Sequence, residues 1–294
     1  MIDSHRRLAV IGVGLLGGSF ALRARQCGVV SHVVGCDLSA HVGTTAGALG
    51  LIDEFVTDPL EAVRDADLVL VATPPRVIVE IMERIAPVLK ARALVMDVGS
   101  TKQLVHDVDS IWTGPGFFVG AHSMAGTERT GPDAAHASLF DGAVTLLTPT
   151  EHTDSWALGE AKRIWEALGT RVQLMDANRH DEVMVTVSHL PHLTAYALCC
   201  VANDVHGEYP EIEGLYGGGF KDTTRIASTP PTLWRDVFEL NQANLLAGLD
   251  RFDARLAALR QKIVEGRWDE VEADLQGARK GRAWVLYTGD ERST

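Results

Sequence analysis

A chain of 294 residues, 46% hydrophobic and 22% charged, has room for two domains or one large one and the composition of an ordinary soluble globular protein. Its formal net charge of −12 argues against a nucleic-acid or anionic-membrane surface, both of which need clustered Lys and Arg. Cys27, Cys36, Cys199 and Cys200 show neither C-x-x-C spacing nor a disulfide framework, which suits a reducing cytoplasm.

Leu8 to Phe20 reads as a buried strand, a glycine turn and the start of a helix. Arg6 and Arg7 before this run imitate a signal peptide, but glycines crowd it, and Arg23 and Arg25 stand where a cleavage site is neutral. The motif G-x-G-x-x-G falls at Gly12, Gly14 and Gly17, with Val13, Leu15 and Leu16 completing the candidate cofactor loop. Gly12 permits the tight turn, Gly14 lets the backbone approach a pyrophosphate, and Gly17 lets helix pack on strand. The helix that follows aims its free N–H groups at the phosphates. A second strand, Ser31 to Asp37, ends in an acid about 20 residues beyond Gly17. Asp37 can accept from both ribose hydroxyls and repels a 2′-phosphate. No Arg or Lys lies between Leu38 and Gly50 to neutralise one, so NAD is favoured over NADP.

Further along come a short helix (Thr44 to Leu49), a short strand within Leu51 to Thr57 and a helix from Pro59 to Ala66. The apolar run Asp67 to Thr73 reads as a strand buried on both faces, running into Pro74-Pro75 and a helix from Arg76 to Lys90. Ala93 to Val98 is another strand, opening through Gly99-Ser100 into a helix that ends at Trp112. Such alternation predicts a doubly wound parallel sheet of Rossmann type. Its ligands sit beyond the carboxyl ends of the strands, so the glycine loop, Asp37, Thr73, Pro74, Gly99 and Ser100 are expected to face one crevice. Phe117 to Ala121, Ala143 to Leu147 and Val172 to Met175 add strands, the last two flanking a helix from Asp154 to Leu168.

From Asp176 the pattern turns helical: Asp176 to about Asp204, Pro230 to Gly266, and Trp268 towards Ala283. The expected division is a nucleotide-binding domain over 1–175 and an all-helical domain over 176–294. The last helices carry an apolar stripe (Leu245, Leu246, Leu249, Phe252, Leu256, Leu259, then Ile263 and Val264) that suits a core face or a dimer interface. No apolar stretch reaches membrane-spanning length without interruption.

Beyond the loop, four constellations could carry chemistry. His122 closes a strand and enters a glycine-flanked loop, and Ser100 lies at the crevice end of the preceding strand. His189 and His192 are three apart and share a helix face, which Pro191 is expected to kink. No cluster completes a metal's ligand set around them, so no metal is expected. Gly217 to Arg225 reads as a glycine-rich turn ending in an arginine. Singly, each is as well explained by core packing or a surface loop.

Their order is more specific. G-V-G-L-L-G-G-S (12–19), V-A-T-P-P (71–75), D-V-G-S-T-K (97–102), H-S-M-A-G-T-E (122–128), S-H-L-P-H (188–192) and G-G-G-F-K-D-T-T-R (217–225) together resemble the prephenate dehydrogenase family, which includes arogenate and cyclohexadienyl dehydrogenases of tyrosine biosynthesis. Ser123 departs from the pattern, since proline commonly follows the histidine. With the chain ending near 294, neither a regulatory amino-acid-binding domain nor a fused chorismate mutase is expected.

The resemblance implies a cyclohexadiene substrate with a 4-hydroxyl, a ring carboxylate and a pyruvyl chain (prephenate) or an alanyl chain (arogenate). Hydride leaves C4 for NAD, His122 takes the hydroxyl proton, and loss of carbon dioxide aromatises the ring. Ser100 is expected to hydrogen-bond the hydroxyl or orient the imidazole. Arg225 is the leading carboxylate ligand, with His192, His189, Gly218 and Glu128 as further substrate contacts. Glu128 and Asp181 are expected to form a charged rim that positions Arg225 or controls entry. Asn241, Gln242 and Asn244 lie close to the substrate or on a solvated face. A helical second domain of this type implies a homodimer. The alternatives are a β-hydroxyacid or imine-type dehydrogenase, which relies on a Lys or Asp of the helical domain, and a non-catalytic nucleotide-sensing dimer.

Overall fold

The computed structural model describes residues 6–286, so the expected domain ranges begin and end outside it. Eight strands form one sheet: β1 (Arg7–Ile11), β2 (His32–Cys36), β3 (Glu54–Val56), β4 (Leu68–Val71), β5 (Leu94–Asp97), β6 (Phe117–Ser123), β7 (Val144–Thr148) and β8 (Arg171–Leu174). Their order is β3-β2-β1-β4-β5-β6-β7-β8. The chain therefore starts mid-sheet, winds outward one way and then returns to wind the other, leaving a crevice at the carboxyl ends of β1 and β4.

Around the sheet lie α1 (Leu15–Gln26), α2 (Ala40–Ala48), α3 (Pro59–Val63), α4 (Ile78–Ile85), α5 (Leu104–Ile111) and α6 (Ser155–Ala167). Because side chains alternate along a strand, β1, β4 and β5 feed two cores. One holds Val10, Leu70 and Met96 with Phe20, Phe140 and Trp165. There the Phe20 and Trp165 rings meet edge to face, 5.2 Å between centroids. The other holds Ile11, Val69, Val71, Ile78, Met82 and Ile85.

The doubly wound expectation needs three amendments. β7 runs antiparallel to β6. The link between them contains only two short 3₁₀ turns, Pro132–Ala134 and Ala137–Phe140, and without a crossover helix the strand cannot return parallel. The helix expected from Arg76 to Lys90 is α4 flanked by 3₁₀ turns at Pro75–Val77 and Ala86–Val88, because Pro87 lacks the N–H to continue it. Finally, β6 extends through Ser123, so His122 stands within a strand rather than in a loop.

After the sheet come α7 (Ala177–Met184), a π-helical segment Val185–His189 and α8 (Leu190–Glu208). Asp176 caps α7 by accepting from the Arg179 N–H at 3.0 Å. The irregularity expected at Pro191 is taken up as this π turn just before it. Residues 177–208 thereby form one helical run long and apolar enough, by length and composition, to cross a membrane, contrary to the sequence reading. The run carries buried His180, Asp181 and His189, and polar contacts from β5–α5 residues reach it, so it serves here as a helix of the folded unit.

Then follow α9 (Gly218–Thr224), α10 (Pro231–Leu240), α11 (Gln242–Val264) and α12 (Trp268–Leu286). The single helix expected from Pro230 to Gly266 is broken at Asn241, whose φ of −120° and ψ of 32° leave the helical region. The chain forms two compact units, Met1–Asn244 and Leu245–Thr294. In the second, Lys262 bridges α11 to α12 through Asp274 at 2.6 Å. Of the apolar stripe, Leu246, Leu256, Ile263 and Val264 are exposed, Leu249, Phe252 and Leu259 are half-buried and Leu245 is buried.

Candidate active site

The glycine loop follows β1 at the crevice. Gly12 has φ of +92°, and a Cβ there would lie 2.5 Å from the Ala72 carbonyl oxygen. A Cβ on Gly17 would lie 2.1 Å from the Gly12 carbonyl oxygen, so only glycine lets α1 close on the loop. Among the described residues, nothing stands within 4 Å of that position at Gly14, and no side chain caps α1. An open backbone cradle with unclaimed helix N–H groups fits a pyrophosphate. Asp37, at the end of β2, is held against the loop: its carboxylate accepts from the Val13 N–H at 3.3 Å and the Ser39 N–H at 3.0 Å. Leu15 is buried behind the loop, and Leu16 is half-buried. Thr73 and Pro74 follow β4, and the Thr73 hydroxyl has no hydrogen-bond partner among the described residues. The Gly99 N–H donates to Asp97 at 2.8 Å, so this glycine shapes the turn that presents half-buried Ser100.

Behind that turn lies a buried polar cluster. Asp97 accepts from the Ala121 N–H at 3.0 Å and from the ammonium of Lys102, which is 0% exposed. Burial holds the Lys102 pKa below the ordinary range, and Asp97 opposes that shift. His122, 9% exposed on β6, has Nδ1 2.8 Å from His180 Nε2. His180 Nδ1 is in turn 2.7 Å from Asp181 Oδ1. Asp181 also accepts from the backbone N–H groups of Lys102 at 2.7 Å and Gln103 at 2.9 Å. The amide of Asn241 donates to the Asp181 carbonyl at 2.8 Å and lies 3.2 Å from His189 Nδ1. Burial pushes the His122 imidazole well below its ordinary pKa, and His180, Lys102 and His189 push the same way. His189 falls to about 4, again chiefly through burial, with Asp181 partly opposing.

On the outer side, Arg225 follows α9 and pairs with Glu128 at 2.8 Å, the two side chains being 59% and 35% exposed. The Glu128 carboxyl is held below its ordinary pKa by its own backbone N–H and then by Arg225. His192 stacks on Trp234 with ring centroids 3.6 Å apart, and its Nδ1 lies 2.9 Å from the Ser188 carbonyl. Burial lowers the His192 pKa, the Ser188 carbonyl opposes, and Arg225 adds a smaller downward push. Gly218 is exposed in the first turn of α9, which replaces the expected glycine turn.

A continuous path of contacts thus runs from His122 through His180, Asp181, Asn241 and His189 to Trp234 and His192. Glu128 meets Arg225. Asp181 does not: it is fully buried, because a carboxylate satisfied by backbone N–H groups and an imidazole can leave the surface. Asn241 is buried beside it, whereas Gln242 is exposed. His180, Lys102 and Asp97 are not among the residues that the sequence singles out for the site. The adjacent His180-Asp181 pair, one turn after a capping Asp176, was the available signal. Among the described residues, no group of three His, Cys, Asp or Glu side chains is placed to hold a metal.

Residues 20–174 match the family model of the prephenate dehydrogenase nucleotide-binding domain, and residues 176–277 that of the prephenate dehydrogenase dimerization domain. The chain is 36% identical over 289 residues to a cyclohexadienyl dehydrogenase of Zymomonas mobilis, covering 98% of each protein. The crystal structure of prephenate dehydrogenase from A. aeolicus in complex with hydroxyphenyl propionate and NAD⁺ matches with a TM-score of 0.89 and 36% identity, over 97% of this chain and 100% of that one. Synechocystis arogenate dehydrogenase matches with a TM-score of 0.78 and 30% identity, over 95% and 100%. Matched in both halves and along its full length, the chain belongs to the prephenate dehydrogenase family.

Proposed function

We propose that this enzyme converts prephenate to 4-hydroxyphenylpyruvate by NAD-dependent oxidative decarboxylation, with arogenate as the competing substrate. The observation that carries the reading is His122: a buried imidazole, kept neutral by its surroundings, in the strand beside the turn that bears Ser100. A neutral imidazole can take the proton of the 4-hydroxyl as C4 becomes a carbonyl. Bound NAD supplies the acceptor for the hydride leaving C4. Ser100 holds the hydroxyl against His122. Loss of the ring carboxylate as carbon dioxide then completes an aromatic ring, which makes the reaction effectively irreversible.

Arg225 grips a substrate carboxylate through its planar guanidinium, exchanging Glu128 for the ligand. His192 spends its Nδ1–H on the Ser188 carbonyl, so it donates to a carboxylate only after protonation at Nε2. An incoming carboxylate favours that protonation, against the burial that opposes it. His189 and Gly218 complete the substrate contacts. Asp37 selects NAD over NADP by accepting from the ribose hydroxyls. The same reading divides the chain at Asp176 and makes it a cytoplasmic homodimer, joined through the helical domain whose apolar stripe lies partly exposed. The test is side-by-side kcat/KM for prephenate and arogenate with NAD. Prephenate is expected to be the better substrate, and a higher value for arogenate would reverse the assignment.

A further inference from the structure

We infer that Asp181, acting through His180, fixes the tautomer of His122 and neutralises the charge that the substrate's proton brings to it. The inference rests on the reading of His122 as the base. Both Asp181 oxygens accept from backbone N–H groups, those of Lys102 and Gln103, which is the pattern of a carboxylate. A carboxylate only accepts, so the hydrogen in its 2.7 Å contact with His180 sits on His180 Nδ1. Neutral His180 then has its lone pair on Nε2, and the hydrogen in the 2.8 Å contact with His122 sits on His122 Nδ1. That leaves the lone pair of His122 on Nε2, the nitrogen with no hydrogen-bond partner among the described residues. One acid thereby orients two imidazoles in series.

Charge leads to the same assignment. The groups acting on His122 are His180 of α7, His189 of the π-helical segment and Lys102 of the loop after β5, and behind them Asp181 pairs with His180 and Asp97 with Lys102. With the histidines neutral, the two carboxylates outweigh the single ammonium by one negative charge. When the substrate O–H bond breaks, its bonding pair stays on oxygen to form the carbonyl, the C4–H pair leaves as hydride, and the proton bonds to His122 Nε2. The imidazolium brings the cluster to neutrality. Its Nδ1 proton can move to His180 Nε2, which sets the cation directly against Asp181. Asp181 itself is not protonated in this scheme, so it is a positioning residue and His122 the catalytic one.

The test uses the full-length enzyme with NAD and prephenate, comparing wild type, Asp181→Asn and His180→Gln. For both variants kcat is expected to fall on the order of 10²–10³-fold while KM stays within about threefold. The acid limb of kcat/KM against pH is expected to move to lower pH in Asp181→Asn, because the His122–His180 pair loses the carboxylate hydrogen-bonded to it. Asp181→Glu is expected to restore part of the rate and return the limb towards wild type. Wild-type kcat in both variants would overturn the inference, as would a rate loss with the acid limb unmoved, which marks a purely structural role. Should Asp181→Asn fail to fold, His180→Gln decides, since it leaves the backbone bonds to Asp181 in place. A wild-type enzyme inactive on both prephenate and arogenate would overturn the functional reading and this inference with it. Silent relay variants beside an inactive His122→Asn would overturn the inference alone.

Discussion

The cluster behind His122 and the pair at Arg225 both place charges near the proposed substrate, but in different media. Asp181 and Lys102 are fully buried and hydrogen-bonded, and removing one partner would strand another charge in a poorly solvated interior. Arg225 and Glu128 meet in solvent, where water and salt screen the pair and it adds little stability. The buried groups are therefore fixed before substrate arrives, as the proposed proton transfer to His122 requires. The exposed pair can part, as a guanidinium must when it exchanges one carboxylate for another. On the proposed reading, rigidity is placed at the chemistry and freedom at the binding contact.

Three measurements break or sharpen that contrast. The largest effect is expected for His122→Asn, which should lower kcat by about 10²–10⁴-fold with modest change in KM, read from steady-state rates. Full turnover in that variant would remove the base from the buried side. Arg225→Ala should act on the other term, raising KM for prephenate by about 10–100-fold and leaving NAD affinity intact. A loss confined to kcat would place Arg225 with the fixed groups instead. The third is smaller and concerns stability against pH. His189 has a folded pKa of about 4 against an unfolded value near 6.5, so below 6.5 the unfolded chain binds the proton first. Its contribution is complete above about 6.5 and is lost as pH falls towards 4, on the order of 3 kcal/mol at full extent. Denaturant midpoints across that window should fall with acid in wild type and fall less in His189→Asn, whose amide cannot titrate.

The same contrast explains what the sequence disclosed. The glycine loop, β1, β4 and Asp37 were legible because each follows from local rules: a run of apolar residues, a turn that only glycine can make, an acid at a set distance. Glu128 and Arg225 were legible as partners because charged side chains default to the surface. That default misplaced Asp181, whose burial depends on the Lys102 and Gln103 N–H groups far away in sequence. The glycine-rich pattern after His122 predicts a loop beginning there, yet antiparallel pairing carries β6 on to Ser123, opposite Thr145. The proline that commonly follows the histidine is thus replaced by a residue held in a ladder. The break at Asn241 was likewise silent, since its amide leaves the helical pattern to join Asp181 and His189, a tertiary bond with no local trace.

The most direct measurement follows NADH formation and carbon dioxide release together after wild-type enzyme is mixed with NAD and prephenate. Equimolar appearance of both products, with aromatic absorbance rising in step, is the predicted result. NADH without carbon dioxide, or neither product, would contradict an oxidative decarboxylation driven from His122.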